Sequence, residues 1–210
     1  MKRRIFAHLA AALLAASTFG VSPMALAADE SPDALIQRLS EEVMASIKAD
    51  KGLQSGETNR IMAFVDSKIM PHVDFRRMTA AAVGPAWRQA TPEQQKRLQD
   101  EFKTLLVRTY SGALAQVNDQ VINVKPQRGG GGDTEVVVRT EVRGRGDPIQ
   151  LDYRMEKSPT GWKIYNLNVL GVWLVETYRS QFAQEINTKG VDGLITTLSE
   201  RNRSNAAKKG

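Results

Sequence analysis

The stretch "WKIYNLNVLGVWLVETYRSQF", residues 162–182, begins like a β-strand and ends like an α-helix. Side chains alternate along a strand, so its first half places large apolar residues on both faces. Two lie on one face and three on the other: Trp162 and Ile164 against Tyr165, Leu167 and Val169. After Gly171 the apolar residues recur at helical spacing. A strand that needs cover on both faces and runs into a helix predicts helices packed on a sheet.

Three segments before this stretch also have the pattern of strands. They are residues 120–124, 134–142 and 149–156. The last is the most regular, because "IQLDYRME" places Ile149, Leu151, Tyr153 and Met155 on one face and polar residues on the other. The links between the segments are rich in glycine and proline, as in turns. The pattern predicts an antiparallel meander of four strands with one buried face.

Helical segments precede and follow the predicted sheet. In the clearest of them Thr91, Pro92 and Gln94 provide an N-cap, a first-turn proline and a capping-box partner. The predicted helices span residues 31–52, 58–70, 74–84, 91–117, 172–190 and 191–203. We therefore expect an α+β fold with a curved, antiparallel four-stranded sheet wrapped by helices.

The first 27 residues have the features of a secretory signal peptide. "MKRRIF" is basic, an alanine- and leucine-rich stretch follows, and Ala25-Leu26-Ala27 is a small-x-small cleavage site. An ordinary basic start is favoured over a twin-arginine signal. We expect one domain over residues 28–203, a disordered tail over 204–210, and a soluble protein in the periplasm. Lys2, Arg3 and Arg4 supply half of the net charge of +6, so charge gives little support for nucleic-acid binding.

Few residues of the expected mature chain could carry chemistry. It has no cysteine and one histidine, His72, so the usual zinc sites are excluded. No cluster of acids suggests another metal, and the glycine-rich "RGGGGD" lacks the lysine and serine or threonine of a phosphate loop. We therefore expect no cofactor and no catalytic site. An apolar surplus remains, and a cavity between helices and sheet would use it to hold an apolar ligand.

The sequence resembles the MlaC family of periplasmic phospholipid-binding proteins over essentially the whole mature chain. The resemblance rests on "VDFRRM", "VGPAWRQATPEQQKRLQDEFKTLLVRTY", "DYRM", "WKIYNLNVLGVWLVETYRSQF" and "GVDGLI". It implies a nuclear-transport-factor-2-like fold around a deep apolar pocket. It also implies phospholipid transport between the outer-membrane MlaA–porin complex and the inner-membrane Mla ABC transporter complex.

The chain departs from the family pattern at three positions. Trp173 stands where a small residue is usual, Asn166 where aspartate is frequent, and Thr177 where asparagine is frequent. Trp173 follows the fourth predicted strand, so its indole could fill the pocket, guard the pocket mouth or cap the core from outside. These departures concern the local shape of the pocket rather than membership of the family.

The strand and helix patterns select fifteen apolar positions for the wall of the pocket, although they do not separate wall from core. No headgroup site is assigned: Arg76, Arg154 and Arg179 are candidates for it, but a surface charge is the favoured interpretation of each. The wall residues are Val73, Phe75, Met78, Trp87, Phe102, Leu106, Tyr110, Val136, Val138, Leu151, Tyr153, Leu167, Val169, Tyr178 and Phe182.

Two other classes of protein stay open as alternatives to the lipid carrier. One is an enzyme of the same fold, an isomerase or dehydratase, which would use Asp152 or His72. The alternation places Asp152 on the face away from Leu151 and Tyr153, which argues against it. The other is a structural periplasmic adaptor with a filled core.

Overall fold

The computed structural model of the chain describes residues 30–115, 120–126, 132–144 and 146–207. The predicted signal peptide lies outside these ranges, as does Val117 at the predicted end of the long helix. The helices are α1 (Pro32–Ala49), α2 (Lys51–Gln54), α3 (Thr58–Phe64), α4 (Phe75–Val83), α5 (Pro92–Ala115) and α6 (Leu174–Ala207). The strands are β1 (Val121–Val124), β2 (Glu135–Arg143), β3 (Ile149–Ser158), β4 (Gly161–Val169) and β5 (Val172–Trp173).

The strands form one open sheet in chain order, and every neighbouring pair is antiparallel. This confirms the predicted α+β fold and the meander, but the sheet has five strands rather than four. The additional strand, β5, has two residues and pairs with the end of β4 across a tight turn. In this turn Leu170 and Gly171 both have positive φ angles, of 53° and 86°. Two residues are too few to show an alternating pattern, so the sequence could not reveal β5.

A β-bulge in β4 changes the interpretation of the stretch that predicted the fold. Arg154 pairs with Asn166, but the next residue of β3, Met155, pairs with Ile164. Tyr165 is therefore one extra residue in β4, and the alternation reverses across it. The prediction that β4 is apolar on both faces is wrong, because its apolar side chains other than Tyr165 share one face of the sheet. These are Trp162, Ile164, Leu167 and Val169.

Two apolar clusters cover this face, which we call the apolar face. In the first cluster, α1 packs through Leu35, Ile36 and Leu39 on residues of β2, β3 and β4. The second cluster is formed by α4, α5 and α6, and it reaches the sheet at Leu167 and Val169. The helices thus divide the apolar face between them, and the second cluster contains most of the buried aromatic residues.

Helix boundaries differ from the predicted ones where local hydrogen bonds intervene. Asp50 ends α1 early and caps α2, since its carboxylate accepts from the backbone N–H groups of Gly52 (2.8 Å) and Leu53 (3.2 Å). After α3 the chain continues as a π-helical turn over 65–69 and a 3₁₀ turn over 70–72. The predicted break at Gly190 is confirmed by its non-helical angles (φ 69°, ψ −173°). Helix α6 continues to Ala207, four residues beyond the expected end of the domain.

Among the residues that the structure describes, no helix is both long enough and apolar enough to cross a bilayer.

Candidate functional site

The boundary between the two apolar clusters crosses the sheet at the pair Tyr153–Leu167. These residues lie directly opposite each other on β3 and β4. Tyr153 packs against the cluster of α1, whereas Leu167 packs against the cluster of α4, α5 and α6. The neighbouring pair, Leu151 and Val169, continues the boundary toward the end of the sheet. We call this line of side chains the seam.

Leu151 has an unusual position on the seam. It is half-buried and lies on the apolar face, yet it packs against neither cluster. Beyond it the sheet ends with exposed apolar side chains, since Ile149 is 42% exposed, Leu170 64% and Val172 52%. Leu170 also has the left-handed backbone that normally favours glycine or asparagine. An apolar surface therefore continues from the seam to the end of the sheet.

The fifteen predicted wall residues differ in the cluster they pack against and in how deeply they are buried. Eleven of them belong to or pack against the cluster of α4, α5 and α6, and four belong to or pack against the cluster of α1. Val73 packs against both clusters, and Leu151 packs against neither. The fully buried ones are Phe75, Met78, Trp87, Phe102, Val138, Tyr178 and Phe182. The half-buried ones are Val73, Leu106, Tyr110, Val136, Leu151, Tyr153, Leu167 and Val169.

Several of the buried positions form an aromatic cluster. Phe102 is fully buried, and its ring centroid lies 4.9 Å from that of Tyr178 and 5.2 Å from that of Phe182, both edge to face. Phe75 lies 5.7 Å from Phe102. Such contacts stabilise the junction of α4, α5 and α6.

Three tyrosine hydroxyls of the two apolar clusters lie in surroundings that disfavour charge. Burial raises the pKa of Tyr153 to about 12, although a hydrogen bond with Thr140 opposes the shift. Burial also raises the pKa of Tyr110 and of Tyr178. All three phenols are therefore neutral at physiological pH. The seam therefore carries no charge at Tyr153, as an apolar ligand requires.

The opposite face of the sheet, which we call the polar face, carries a network around Arg77 of α4. Its guanidinium donates to Glu135 (2.7 Å) and Glu156, and lies 3.7 Å from the ring centroid of Tyr165. The hydrogen bond from Arg77 lowers the pKa of Glu135. Tyr165, the extra residue of the bulge, also donates from its hydroxyl to Glu135 (3.2 Å). The bulge therefore serves to place an aromatic ring beneath an arginine.

Asn166, the second bulge residue, joins the sheet to the start of α6. Its side-chain oxygen accepts from the N–H groups of Leu167 (2.9 Å) and Val175 (3.2 Å), and its amide donates to Glu176 (2.8 Å). Burial of Glu176 acts to raise its pKa, but the hydrogen bonds from Asn166 and Arg154 outweigh burial, so the pKa of Glu176 is lowered. The buried side chain of Asn166 therefore provides hydrogen-bond partners for polar groups of both β4 and α6.

Trp173 lies over Arg154, whose guanidinium carbon is 3.9 Å from the indole centroid. Arg154 alternates with Tyr153 and Met155 on a regular strand, so it points to the polar face. Of the three roles considered for Trp173, the structure favours a cap on the outside of the core.

Two cavities lie between α4 and α6, and the smaller one also reaches the polar face at Arg154, Tyr165 and Asn166. One, of about 280 Å³, is lined by Ala80, Ala81, Gly84, Pro85, Trp87, Arg88 and Arg179. The other, of about 190 Å³, is lined by Arg77, Ala81, Arg154, Tyr165, Asn166, Val175, Glu176 and Arg179. Among the predicted wall residues only Trp87 lines either cavity. The sequence singled out Arg154 and Arg179 but did not indicate that they line one site, because its arginines are far apart in the chain and no motif connects them.

The groups considered for an enzyme are not brought together. Burial lowers the pKa of His72, whose charged neighbours are Arg38, Lys163, Glu42 and Glu30. Asp152 lies on the polar face, as predicted, but it is buried, and its carboxylate accepts a hydrogen bond from the side chain of Gln150 (2.7 Å). Within the described ranges, no three histidine, aspartate or glutamate side chains are grouped so that they could hold a metal ion.

The architecture defines a small α+β protein with an open antiparallel sheet whose apolar face is covered by helices. The family model described as "MlaC protein" matches residues 37–200 of the chain. The chain therefore belongs to the MlaC family.

Individual relatives agree with this assignment. The chain is 28% identical to the toluene tolerance protein ttg2D of Pseudomonas putida over 171 residues, which cover 81% of this chain and 80% of that protein. It is 23% identical to the intermembrane phospholipid transport system binding protein MlaC of Haemophilus influenzae over 177 residues, or 82% and 83% of the two chains.

A solved structure is also similar to this chain. It is the phospholipid-binding protein from Ralstonia solanacearum in complex with a phospholipid, with a TM-score of 0.81 and 49% sequence identity. The match covers 83% of this chain and 98% of that chain.

Proposed function

We propose that this protein is a periplasmic phospholipid carrier that holds the acyl chains of its cargo along the seam. The observation that supports this most directly is Leu151, a half-buried apolar side chain that packs against neither cluster. The Ralstonia solanacearum protein, 49% identical, was solved with a bound phospholipid. An apolar surface in a family with this relative is expected to hold lipid tails.

The energetics explain why a carrier must enclose the tails. A diacyl lipid has on the order of thirty methylenes, and removing one methylene from water is favourable by about 0.8 kcal/mol. Enclosing both tails is therefore favourable by roughly 20–25 kcal/mol. Spontaneous transfer through an aqueous compartment is therefore negligible. Tails require volume and an apolar surface rather than particular side chains, which is consistent with the lack of a catalytic motif.

The tails enter by separating the two clusters along the seam. The two cavities described above, about 280 and 190 Å³, are smaller than typical ligand pockets of about 300–1,000 Å³ and lie between α4 and α6 rather than on the apolar face. The seam instead runs between two apolar clusters, so opening it would exchange contacts between the clusters for contacts with acyl chains. The exposed side chains of Ile149, Leu170 and Val172 mark the mouth, where the headgroup stays in water.

The family resemblance supplies the partners of this function. The carrier would exchange phospholipid with the outer-membrane MlaA–porin complex and the inner-membrane Mla ABC transporter complex. It would act without a cofactor and without chemical change of the lipid.

Native mass spectrometry of the protein, purified without added lipid, tests the proposal. We expect about one phospholipid per chain, identified by extraction with organic solvent. Delipidated protein should regain the same mass shift after incubation with phospholipid vesicles. A bare polypeptide mass before and after incubation would contradict the proposal and favour the adaptor.

A further inference from the structure

A groove between α4 and α6 is built for negatively charged groups. The two cavities are adjacent, because Ala81 and Arg179 line both of them, and we call the pair the arginine groove. Four arginines line it: Arg77, Arg88, Arg154 and Arg179. Its floor toward α4 consists of small residues, which allow another chain to approach closely.

The four arginines differ in how their charge is balanced. Arg77 pairs with Glu135 and Glu156, and Arg154 pairs with Glu176. Arg88 and Arg179 have no hydrogen bond or ion pair with any residue in the described part of the chain. Both side chains are exposed: Arg88 lines the larger cavity, and Arg179 lines both cavities. Two guanidinium groups are thus free to bind anions from outside.

Aromatic rings hold the neighbouring arginines in place. Arg77 lies over Tyr165 (3.7 Å), Arg154 over Trp173 (3.9 Å), and Arg76 over Trp87 (5.8 Å). Two of these rings, Trp87 and Tyr165, also line the groove, so the stacks give it rigid aromatic walls beside Arg88 and Arg179. Arginine, tryptophan and tyrosine are also the residues that most often dominate the binding energy of protein interfaces.

The groove is separate from the seam, so its ligand is not the headgroup of a lipid held there. Arg154 points to the polar face while Tyr153 and Leu151 point to the apolar face. Arg179 is exposed on α6, whereas the preceding Tyr178 is buried in the core. The sheet and α6 therefore lie between the groove and the proposed tails.

The charge distribution favours a protein partner over a membrane surface. Glu176 lines the groove, and Glu135 and Glu156 lie beside it. A bilayer presents a broad sheet of negative charge, which these carboxylates would repel. A protein can instead place single carboxylates against Arg88 and Arg179, and arginine forms forked hydrogen bonds with carboxylates.

We infer that the arginine groove is a docking surface for an acidic segment of a partner protein, with carboxylates paired to Arg88 and Arg179. This inference rests on the proposed function, because the partner is one of the membrane complexes that deliver or receive the lipid. Docking through the polar face leaves the mouth of the seam free for transfer.

Charge reversal tests the inference. The double variant Arg88→Glu/Arg179→Glu is compared with Arg97→Glu/Arg203→Glu, which changes the same charge at exposed arginines outside the groove. Binding is measured to the purified inner-membrane transporter complex and to the outer-membrane lipoprotein–porin complex, each in nanodiscs, at low and high salt. The groove variant should bind at least one complex about tenfold or more weakly, and the control should bind as the wild type does.

Separate measurements distinguish this inference from the proposed function. Native mass spectrometry should find equal lipid occupancy in all variants, so lost docking with retained lipid supports the groove alone. Wild-type affinity of the groove variant for both complexes, or equal weakening in the control, would overturn it. Selective loss of binding to phosphatidylglycerol vesicles would also overturn it, by assigning the groove to a membrane. If charge reversal prevents folding, Arg88→Gln/Arg179→Gln replaces the variant.

Discussion

The side-chain oxygen of Asn166 accepts a hydrogen bond from the backbone N–H of Val175, 3.2 Å away, and thereby fixes the start of α6 to the bulge of β4. The amide of Asn166 also donates to Glu176 (2.8 Å), although the residue is almost fully buried. Asparagine can serve both groups because it carries an acceptor and a donor.

Asn166→Asp should therefore destabilise this protein, although aspartate is frequent here in the family. An aspartate keeps the acceptor, loses the donor, and places a second carboxylate beside Glu176. We expect a loss of about 1–3 kcal/mol in the free energy of unfolding at neutral pH. Burial and the like charge would raise the pKa of the new carboxyl above its unfolded value, so the loss should shrink as pH falls toward 4. Urea unfolding at both pH values measures the effect.

A double-mutant cycle isolates the contact. Glu176→Gln restores a donor opposite the aspartate, so the double variant should be more stable than the sum of the two single changes predicts. Strict additivity would show that the contact between residues 166 and 176 contributes nothing.

The sequence predicted the helices, the meander and most buried positions, because these depend on local periodicity. It did not predict the bulge, since neither glycine nor proline marks Tyr165 and Asn166. Without the bulge β4 had to be interpreted as apolar on both faces, and part of the argument for a cavity rested on that interpretation. The structure replaces that argument with the seam.

The candidate site was harder to predict than the fold. Phe102 and Leu151 both satisfy the apolar pattern, yet one is fully buried in an aromatic core and the other packs against neither cluster. Only the register and the packing of distant helices separate them. The arginine groove depends wholly on tertiary structure, because Arg88 and Arg179 are far apart in sequence.

Trp173→Ser should leave the bound lipids unchanged. The indole lies on Arg154 at the polar face, away from Leu151 and Tyr153. We expect a loss of about 0.5–1 kcal/mol from the missing cation–π contact, and Trp173→Phe should retain much of it. The acyl-chain profile is measured by mass spectrometry of extracts from proteins made in the same cells. A shift toward longer chains in the serine variant would place Trp173 in the lipid site instead.

Tyr153 should make the protein lose stability in alkaline solution. Its pKa is about 12 in the folded protein and about 10 in an unfolded chain. The folded state therefore binds more protons between these values, and the stabilising contribution, full below pH 10, is lost as pH rises toward 12. The effect is about 3 kcal/mol, at about 1.4 kcal/mol per pKa unit.

Comparison with Tyr153→Phe isolates this residue from the other tyrosines. At neutral pH the variant should differ only by the hydrogen bond with Thr140, about 1 kcal/mol. Between pH 10 and 12 its unfolding free energy should fall less steeply than that of the wild type. Parallel curves would show that the hydroxyl of Tyr153 is accessible to water.

Leu151→Arg should abolish lipid binding while the fold is retained. Leu151 is only half-buried and packs against neither cluster, so the substitution disturbs little of the core. A guanidinium at this position would lie where the acyl chains pass, and an unpaired charge among methylenes costs several kcal/mol. Val121→Arg is the matched control, since Val121 pairs with Arg143 on the polar face and is 60% exposed. Native mass spectrometry should find lipid on the control and none on Leu151→Arg, with circular dichroism confirming that both are folded. Full lipid occupancy of a folded Leu151→Arg would show that the tails lie elsewhere than along the seam.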